Sequence, residues 1–285
     1  MDELADALTT SLGVRPTGVV RLSGGDNAAS YRFEFDDGRA VFAKTHPAPP
    51  DGFFSREAVD LGCLGEADAL PVPAVLAVAD EPVAFLALEW IEPGARHRAD
   101  DASFGRGLAA LHRAGAGSFG RQDLRTTGSL GLPNEPTSTW AEFYAGSRLL
   151  PLAKIARDRH ALPLDSVARL GRVADRLADI GGPAEPPARL HGDLWAGNRM
   201  VDVDGVSWLI DPAGHGGHRE FDLAMMRLFG GFDPSAFDAY HETFPLDDGW
   251  QQRLPLHQLA PLVVHAIKFG AGYVAAVADA LDSII

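Results

Sequence analysis

Three polar side chains in the C-terminal half of the chain have the types and spacing that phosphoryl transfer uses. Asp193 lies two residues after His191 and five before Asn198, in the order H-x-D-x-x-x-x-N, and Asp211 follows an apolar run further along. In kinase-type chemistry one carboxylate orients a hydroxyl and accepts its proton, while an amide and a second carboxylate hold Mg²⁺ on nucleotide phosphates. The pattern predicts Asp193 as the general base and Asn198 and Asp211 as ligands of Mg²⁺.

Each of these residues also has an ordinary structural interpretation. Asp193 could cap a helix in a glycine-containing loop, Asn198 could be a turn residue, and Asp211 could be an acid at the end of a strand beside Pro212. A chance match to H-x-D is common, whereas a match to the whole set at these separations is rare. The set therefore favours phosphoryl transfer, with ATP as the phosphate donor.

A lysine and a glutamate in the N-terminal part fit the same chemistry. Lys44 ends a predicted strand, and Glu57 lies on the helix predicted to follow it. In kinases a lysine at this place contacts the α and β phosphates and pairs with a helix glutamate. The alternative is an exposed strand-end lysine and an unrelated surface glutamate.

Two further segments are candidates for contacts with the nucleotide. Glycines in the loop before Lys44 would let backbone N–H groups approach phosphate oxygens, although a plain β-turn would look the same. The loop residues predicted to contact phosphate are Gly24, Gly25, Asp26 and Asn27. After a later strand, the Glu89 carbonyl and the Ile91 N–H are predicted to bind adenine; the alternative is a buried strand that ends at a loop.

Three residues near the predicted base have less specific signals. Trp195 could line an acceptor pocket, because aromatic faces suit the apolar faces of sugars, but a packed core tryptophan fits almost as well. His218 is a candidate substrate contact, although a lone histidine in a helical region is more often structural. We expect Asp222 to be structural and to accept hydrogen bonds from the catalytic loop.

Hydrophobic periodicity indicates the elements that must position these groups. Apolar spacing and turn residues predict a helix, three strands, a helix capped by Ser55 and two more strands within the first 92 residues. The predicted ranges are 2–12, 18–22, 30–35, 40–45, 54–64, 74–79 and 83–91. Later ranges, 101–113, 139–159, 164–180 and 220–285, are mostly helical, with a short strand at 206–210. The pattern predicts an α+β, protein-kinase-like, two-lobed fold: a small β-rich N-lobe (1–92) that binds ATP and a larger, mainly helical C-lobe (93–285) with the catalytic loop and acceptor site.

Composition narrows the classes of partner. The chain has 285 residues, a formal net charge of -14 and one cysteine. The negative charge argues against binding of nucleic acid, which needs clustered Lys and Arg, and no apolar run reaches the ~20 residues of a membrane span. The acidic N-terminus has no secretory leader pattern. These features predict a cytoplasmic enzyme with a small-molecule partner and with neither nucleic acid nor membrane as a partner.

Several motifs together resemble one family. They read H-G-D-L-W-A-G-N at 191–198, D-P-A at 211–213, G-H-R-E at 217–220 and L-F-G-G-F at 228–232. With these motifs the chain resembles the fructosamine kinases, also called ketosamine-3-kinases, which are relatives of aminoglycoside and choline kinases. Trp195 after Asp-Leu favours this family over the aminoglycoside kinases.

The resemblance implies a protein-kinase-like fold, ATP and Mg²⁺, and phosphorylation of the sugar 3-hydroxyl of a ketoamine (a fructosamine or ribulosamine), which promotes deglycation. It also implies the roles given above for Asp193, Asn198, Asp211, Lys44 and Glu57. Many relatives carry a cysteine in the glycine loop that can link two chains; this loop has none and Cys63 lies elsewhere, which argues against a redox-switched dimer. A monomer or weak dimer is expected.

Two alternatives remain open at this point. One is a kinase for another alcohol, such as an aminoglycoside or an amino sugar. The other is a nucleotide-binding regulatory protein without catalysis, against which the intact set of Asp193, Asn198, Asp211 and Lys44 argues.

Overall fold

A computed structural model describes residues 2–23, 28–122 and 130–285. The chain divides into two compact units, one formed by Met1–Asp100 with Arg199–Pro212 and the other by Asp101–Asn198 with Ala213–Ile285. The first contains a β-sheet and the second is mainly helical, so the predicted mixture of an N-terminal sheet and C-terminal helices is confirmed. Among the described residues, no helix combines the length and hydropathy needed to cross a membrane.

The first unit is built around a five-stranded antiparallel sheet with strand order β1-β2-β3-β5-β4. Its elements are α1 (Asp2–Leu12), β1 (Gly18–Leu22), β2 (Ala29–Glu34), β3 (Ala40–Thr45), α2 (Phe53–Gly65), β4 (Val75–Ala79) and β5 (Phe85–Glu89). A tight turn joins β2 to β3, where Gly38 has a φ of 83° and Asp37 accepts a hydrogen bond from the Arg39 N–H. The positive φ explains why the turn carries glycine.

Alternation along the strands sends side chains to two different helices. Val41 and Ala43 of β3 pack in the cluster that contains Leu8 of α1. Phe42 packs in the other cluster, which contains Phe54 of α2. Because side chains alternate across a strand, Lys44 lies on the same face as Phe42, the face covered by α2.

A short hairpin from later in the chain belongs to this unit. Its strands are β7 (Arg199–Val201) and β8 (Ser207–Leu209). The Gly94 N–H donates to the Val201 carbonyl at 2.8 Å, and the Leu209 N–H donates to the Pro71 carbonyl at 3.0 Å. The first unit therefore extends past residue 92 and includes residues 199–212. No local pattern in the sequence indicates that this later segment belongs with the N-terminal residues. The division into lobes at residue 92 remains a prediction.

The second unit is helical, with one small antiparallel ladder. Its helices are α3 (Asp101–Ala114), α4 (Trp140–Tyr144), α5 (Leu150–Asp158), α6 (Leu164–Asp175), α7 (Leu177–Ile180), α8 (Glu220–Phe229), α9 (Pro234–Thr243), α10 (Trp250–Phe269) and α11 (Gly272–Ile284). The ladder pairs β6 (Ala188–Leu190) with β9 (His215–Gly217), so that Leu190 lies opposite His215. The core includes Tyr144, Leu170, Leu259 and Val263.

Some local predictions differ from the structure. Helix α2 begins at Phe53 with Gly52 as its N-cap, so the prediction that Ser55 caps it is wrong. The Ser55 hydroxyl instead donates to the carboxylate of Asp80, which comes from the turn after β4. The predicted helix over 139–159 contains a π-helical turn at Ala145–Leu149, and that over 164–180 breaks at Arg176.

Candidate active site

In the first unit, Lys44 is a buried cation held between two carboxylates. Its Nζ lies 2.6 Å from Glu57 Oε1 and 2.5 Å from Asp211 Oδ1, and only 7% of the residue is exposed. Strand alternation directs Lys44 toward α2, which carries Glu57, while the β7–β8 hairpin brings Asp211 to the same ammonium. The structure thus brings together three of the predicted site residues.

The ammonium group of Lys44 compensates two carboxylates that repel each other. Burial opposes the ammonium form of Lys44, but the neighbouring Glu57 and Asp211 carboxylates outweigh it and raise the Lys44 pKa above its usual value. Burial raises the pKa of Glu57 to about 7, because attraction to Lys44 offsets only part of the cost of desolvation. Lys44 therefore stays protonated across the physiological range.

Asp211 has an unusual backbone. It lies two residues after the end of β8, its side chain is half exposed, and its φ is 53°. Left-handed conformations are uncommon for residues other than glycine, although aspartate and asparagine tolerate them best, and they concentrate at functional sites. This backbone allows one carboxylate to contact Lys44 while remaining partly open to solvent.

The predicted adenine contacts lie where β5 ends. The Glu89 N–H donates to the Ala74 carbonyl at 2.9 Å, so this end of the strand is fixed by the residue that precedes β4. Within the described parts of the chain, the Ile91 N–H makes no backbone hydrogen bond. The glycine-loop residues Gly24, Gly25, Asp26 and Asn27, which were predicted to contact phosphate, lie outside the described residues.

In the second unit, the loop at 191–198, predicted to be the catalytic loop, brings Asp193 and Asn198 into direct contact. The Asn198 amide nitrogen donates to the Asp193 carbonyl at 2.9 Å and to Asp193 Oδ2 at 3.1 Å. The turn Ala196–Asn198 is a 3₁₀ helix, and it returns the chain toward Asp193. Because the amide nitrogen of Asn198 is a donor here, the oxygen Oδ1 is the atom that can serve as a metal ligand.

Asp222 fastens this loop from helix α8. Its Oδ2 accepts from the His191 N–H at 2.7 Å, and its Oδ1 accepts from the Gly192 N–H at 2.9 Å. The expectation that Asp222 accepts bonds from the catalytic loop is confirmed. Burial opposes ionisation of Asp222, but the hydrogen bond and charge of His112 and the Gly192 N–H keep its pKa below the usual value.

Gly192 cannot be replaced without moving the loop. Its φ is 81°, and a Cβ added there would lie 2.0 Å from the Ala213 carbonyl oxygen. Ala213 also holds the loop directly, because its N–H donates to the His191 carbonyl at 2.9 Å. The backbone immediately before Asp193 is therefore held by Asp222 through its N–H groups and by Ala213 through the His191 carbonyl.

The two predicted substrate contacts differ in exposure. Trp195 is 41% exposed, and its ring meets Phe229 edge to face with centroids 6.2 Å apart. His218 is 2% exposed and stacks on His257. Burial lowers the pKa of His218 to about 3, so its ring is neutral. Trp195 offers an accessible face near Asp193, whereas the buried position of His218 lends no support to its predicted role.

His218 belongs to a group that resembles a metal site in composition. Nitrogen or oxygen atoms of His218, Glu220 and His257 lie within 4.8 Å of one another. However, Arg253 donates to both carboxylate oxygens of Glu220, at 2.9 and 2.5 Å. A guanidinium that occupies both oxygens disfavours a cation at the same carboxylate, so we interpret the group as a buried ion-pair network.

Comparison with known proteins identifies relatives along the whole chain. The fructosamine kinase family model matches residues 2–285. A protein from Enterococcus faecium named as a ketoamine kinase is 35% identical over 93% of this chain and 94% of its own. Mouse ketosamine-3-kinase is 30% identical over 91% of this chain and 92% of its own.

Solved structures agree with the sequence relatives. A Thermobifida fusca crystal structure assigned to the fructosamine-3-kinases superposes with a TM-score of 0.92, at 42% identity over 100% of this chain and 99% of that chain. Choline kinase LicA from Streptococcus pneumoniae has a TM-score of 0.68 at 14% identity over 99% and 98% of the two chains, which shows the fold alone. The fold is thus that of the protein-kinase-like phosphotransferases, as predicted, and the chain belongs to the fructosamine kinase family.

Proposed function

We propose that this protein is an ATP-dependent ketoamine kinase that phosphorylates the sugar 3-hydroxyl of a fructosamine or ribulosamine. Membership of the fructosamine kinase family and the names of the relatives support the reaction and the substrate class. The observation that carries the proposal is the preserved machinery: Lys44 held between Glu57 and Asp211, and Asp193 held by Asn198. A regulatory protein without catalysis would have no need to keep either of these two arrangements.

The donor set fits magnesium and a nucleotide. Asn198 and Asp211 offer an amide oxygen and a carboxylate, which are the hard oxygen ligands that Mg²⁺ prefers, usually in small number from the protein. When bound, Mg²⁺ would neutralise developing negative charge on the phosphates. The side chain of Asp211 is half exposed while its Oδ1 contacts Lys44, so part of the carboxylate is open to solvent.

Lys44 has the role of orienting the phosphates of ATP. Glu57 fixes the ammonium group at 2.6 Å, and the surrounding burial limits the positions that the side chain can adopt. A charged, prepositioned donor stabilises the transferring phosphoryl group without reorganisation during the reaction. The Glu89 carbonyl and the Ile91 N–H would bind adenine, and Gly24, Gly25, Asp26 and Asn27 would contact phosphate.

Asp193 has the role of aligning the acceptor hydroxyl and taking its proton. The transition state of phosphoryl transfer is loose, so orientation and charge stabilisation contribute more than base strength. Asn198 donates to Oδ2 of Asp193, which fixes the plane of the carboxylate. Trp195, two residues later and partly exposed, would pack against the sugar of the acceptor.

The position of the new phosphate would explain deglycation. In a ketoamine the nitrogen is attached to C1 and the carbonyl carbon is C2, so a phosphate on C3 is β to the carbon that bears the amine. Loss of a proton from C1 gives an enaminol, and cleavage of its C3–O bond expels phosphate and leaves an unsaturated imine that water hydrolyses. Elimination of inorganic phosphate then allows hydrolytic release of the free amine. A small-molecule acceptor, a cytoplasmic location and a monomer or weak dimer remain predictions that accompany this proposal.

An acceptor screen tests the proposal. ATP turnover is measured with no acceptor, with a fructosamine, with a ribulosamine, and with an aminoglycoside and an amino sugar, and the phosphorylated carbon is located by NMR. Transfer to the 3-hydroxyl of a ketoamine alone supports the proposal. Transfer only to another alcohol contradicts the substrate class, and binding of Mg·ATP without transfer to any acceptor contradicts catalysis.

A further inference from the structure

The carboxylate that fastens the catalytic loop is itself held by a histidine. Besides the two loop N–H groups, Asp222 Oδ2 lies 3.2 Å from His112 Nε2, and His112 Nδ1 lies 2.8 Å from the Tyr240 hydroxyl. All three residues are almost completely buried, at 0%, 1% and 0% exposure for Asp222, His112 and Tyr240. A continuous chain of polar contacts therefore runs from α9 through α3 and α8 to the loop.

The direction of the hydrogen bonds in this chain follows from the groups at its ends. Asp222 is ionised, so His112 Nε2 must be the donor toward it. Burial raises the pKa of Tyr240 well above its usual range, so the phenol keeps its proton and can donate to His112 Nδ1. Contacts at both ring nitrogens hold the imidazole in a single orientation.

The histidine and the tyrosine come from helices outside the loop. His112 lies in the last turn of α3, and Tyr240 lies in α9. Their rings meet edge to face with centroids 5.5 Å apart. Tyr240 also forms a hydrogen bond with Arg219 and a ring contact with Phe244. The contact that links this pair to Asp222 runs from His112 to the carboxylate.

We propose that His112 and Tyr240 are positioning residues for phosphoryl transfer: they orient the Asp222 carboxylate so that both of its oxygens receive the His191 and Gly192 amides. Asp193 follows Gly192 directly, so the orientation of Asp222 sets the position of the carboxylate that faces the acceptor. The inference rests on the proposed role of Asp193. Misplacement of a reacting group by about 1 Å can cost on the order of 10²-fold in rate, so a contact outside the substrate site can control turnover.

Two substitutions at one position separate the two contacts of the imidazole. In His112→Gln the amide nitrogen falls near the place of Nε2 and can still donate to Asp222. In His112→Asn the shorter amide falls near the place of Nδ1, facing Tyr240, and the donor to Asp222 is lost. We expect His112→Asn to lower kcat roughly tenfold or more while the KM for ATP changes less than about twofold, and His112→Gln to retain most of kcat.

Tyr240→Phe removes the hydroxyl that contacts His112 Nδ1 and Arg219. We expect a smaller decrease in kcat, roughly threefold, and no further decrease when Tyr240→Phe is combined with His112→Asn, because the contact to Asp222 is already absent. The control is His241→Gln, on the same helix as Tyr240 but exposed, and it should leave kcat unchanged. A general structural role would instead lower the melting temperature of both His112 variants alike without separating kcat from KM.

Amide hydrogen exchange supplies a readout that needs no acceptor. The His191 and Gly192 amides should exchange faster in His112→Asn than in the wild type, and at the wild-type rate in His112→Gln. Equal exchange and equal kcat in the two variants would overturn the inference. Absence of ketoamine turnover in the wild-type protein would overturn the proposed function instead, while the exchange rates would still decide whether His112 orders the loop.

Discussion

Lys44 Nζ and Asp211 Oδ1 lie 2.5 Å apart although 167 positions separate them in the chain. The contact joins the third strand of the sheet to the segment that follows the β7–β8 hairpin. One ammonium group therefore compensates two carboxylates, the buried Glu57 and the half-exposed Asp211. Stability and the proposed chemistry of the first unit depend on the same cation.

Removal of this cation should destabilise the protein in a pH-dependent way. In Lys44→Met the buried Glu57 carboxylate loses its counter-ion, and we expect the free energy of unfolding to fall by about 3–5 kcal/mol at pH 8. Burial already places the Glu57 pKa at about 7, and loss of Lys44 raises it further. A raised folded pKa favours stability at lower pH, so the loss relative to the wild type should be smaller at pH 6 than at pH 8.

Urea unfolding at both pH values measures this difference. The matched control is Lys154→Met, because Lys154 forms an exposed ion pair with Asp158 whose contribution to stability is small. A Lys44→Met protein as stable as the control at pH 8 would show that Glu57 does not need the ammonium group.

Substitution of Asp211 should weaken the binding of magnesium without disturbing the backbone. Asn tolerates the left-handed conformation that Asp211 adopts, so Asp211→Asn should fold normally. We expect the Mg²⁺ concentration for half-maximal turnover to rise at least about tenfold, since even groups that only support a metal ligand can cost that much. Asp204→Asn, in the exposed turn of the hairpin, is the control. An unchanged magnesium titration would remove Asp211 from the metal site.

A methyl group at Gly192 should disrupt the catalytic loop. Gly192 and Gly270 share a positive φ, 81° and 71°, but a Cβ would collide with the Ala213 carbonyl at Gly192 and would meet nothing within 4 Å at Gly270. Gly270→Ala should cost only the conformational strain, about 1–3 kcal/mol. Gly192→Ala should cost more and should abolish turnover even where the protein remains folded, as checked by thermal unfolding and an ATP assay. Equal activity in the two variants would argue against the tight fit of the loop.

Because His218 is buried and neutral, the free energy of unfolding should decrease in mild acid. The His218 pKa is about 3 in the folded protein because of burial, while an unfolded histidine titrates near 6.5. The unfolded state therefore binds the extra proton below pH 6.5, and stability decreases as pH falls. Relative to His218→Gln, the wild type should lose about 1.4 kcal/mol per pH unit between pH 6 and 4.5.

The comparison of the wild type with His218→Gln isolates the contribution of this one histidine to the pH dependence of stability. Glu57, whose raised pKa has the opposite effect over part of this range, contributes equally to both. Urea unfolding at pH 6, 5.25 and 4.5 supplies the slopes. Parallel slopes for wild type and variant would show that His218 can be protonated in the folded state.

The elements predicted from the sequence were those with local signals. Alternating apolar residues and the turn at Gly38 define β2 and β3, and the observed strands differ from the prediction by one residue at most. The start of α2 was predicted wrongly because the Ser55 hydroxyl is used by Asp80, 25 positions away. A capping signal is local, whereas the competing hydrogen bond is tertiary.

In the candidate site, too, the residues with local sequence signals could be predicted, whereas the residues joined by tertiary contacts could not. The types and spacing of Asp193, Asn198 and Asp211 can be identified in the sequence because the chemistry itself fixes them. The partners of Asp222 cannot, since His112 is 110 positions from it and Tyr240 is 128 positions from His112. The exposure of His218 is likewise set by tertiary packing, so its place in a motif gives no indication that it is buried.

The most direct test of the account is the rate of ATP-dependent phosphorylation of a ketoamine by Asp193→Asn. The substitution keeps the size of the side chain but removes the base, and Asn198 can remain close to it. We expect turnover to fall about 10²–10⁴-fold while the affinity for Mg·ATP stays within about twofold of wild type. A variant that transfers phosphate to the 3-hydroxyl at the wild-type rate would contradict the assignment of Asp193 and, with it, the proposed mechanism.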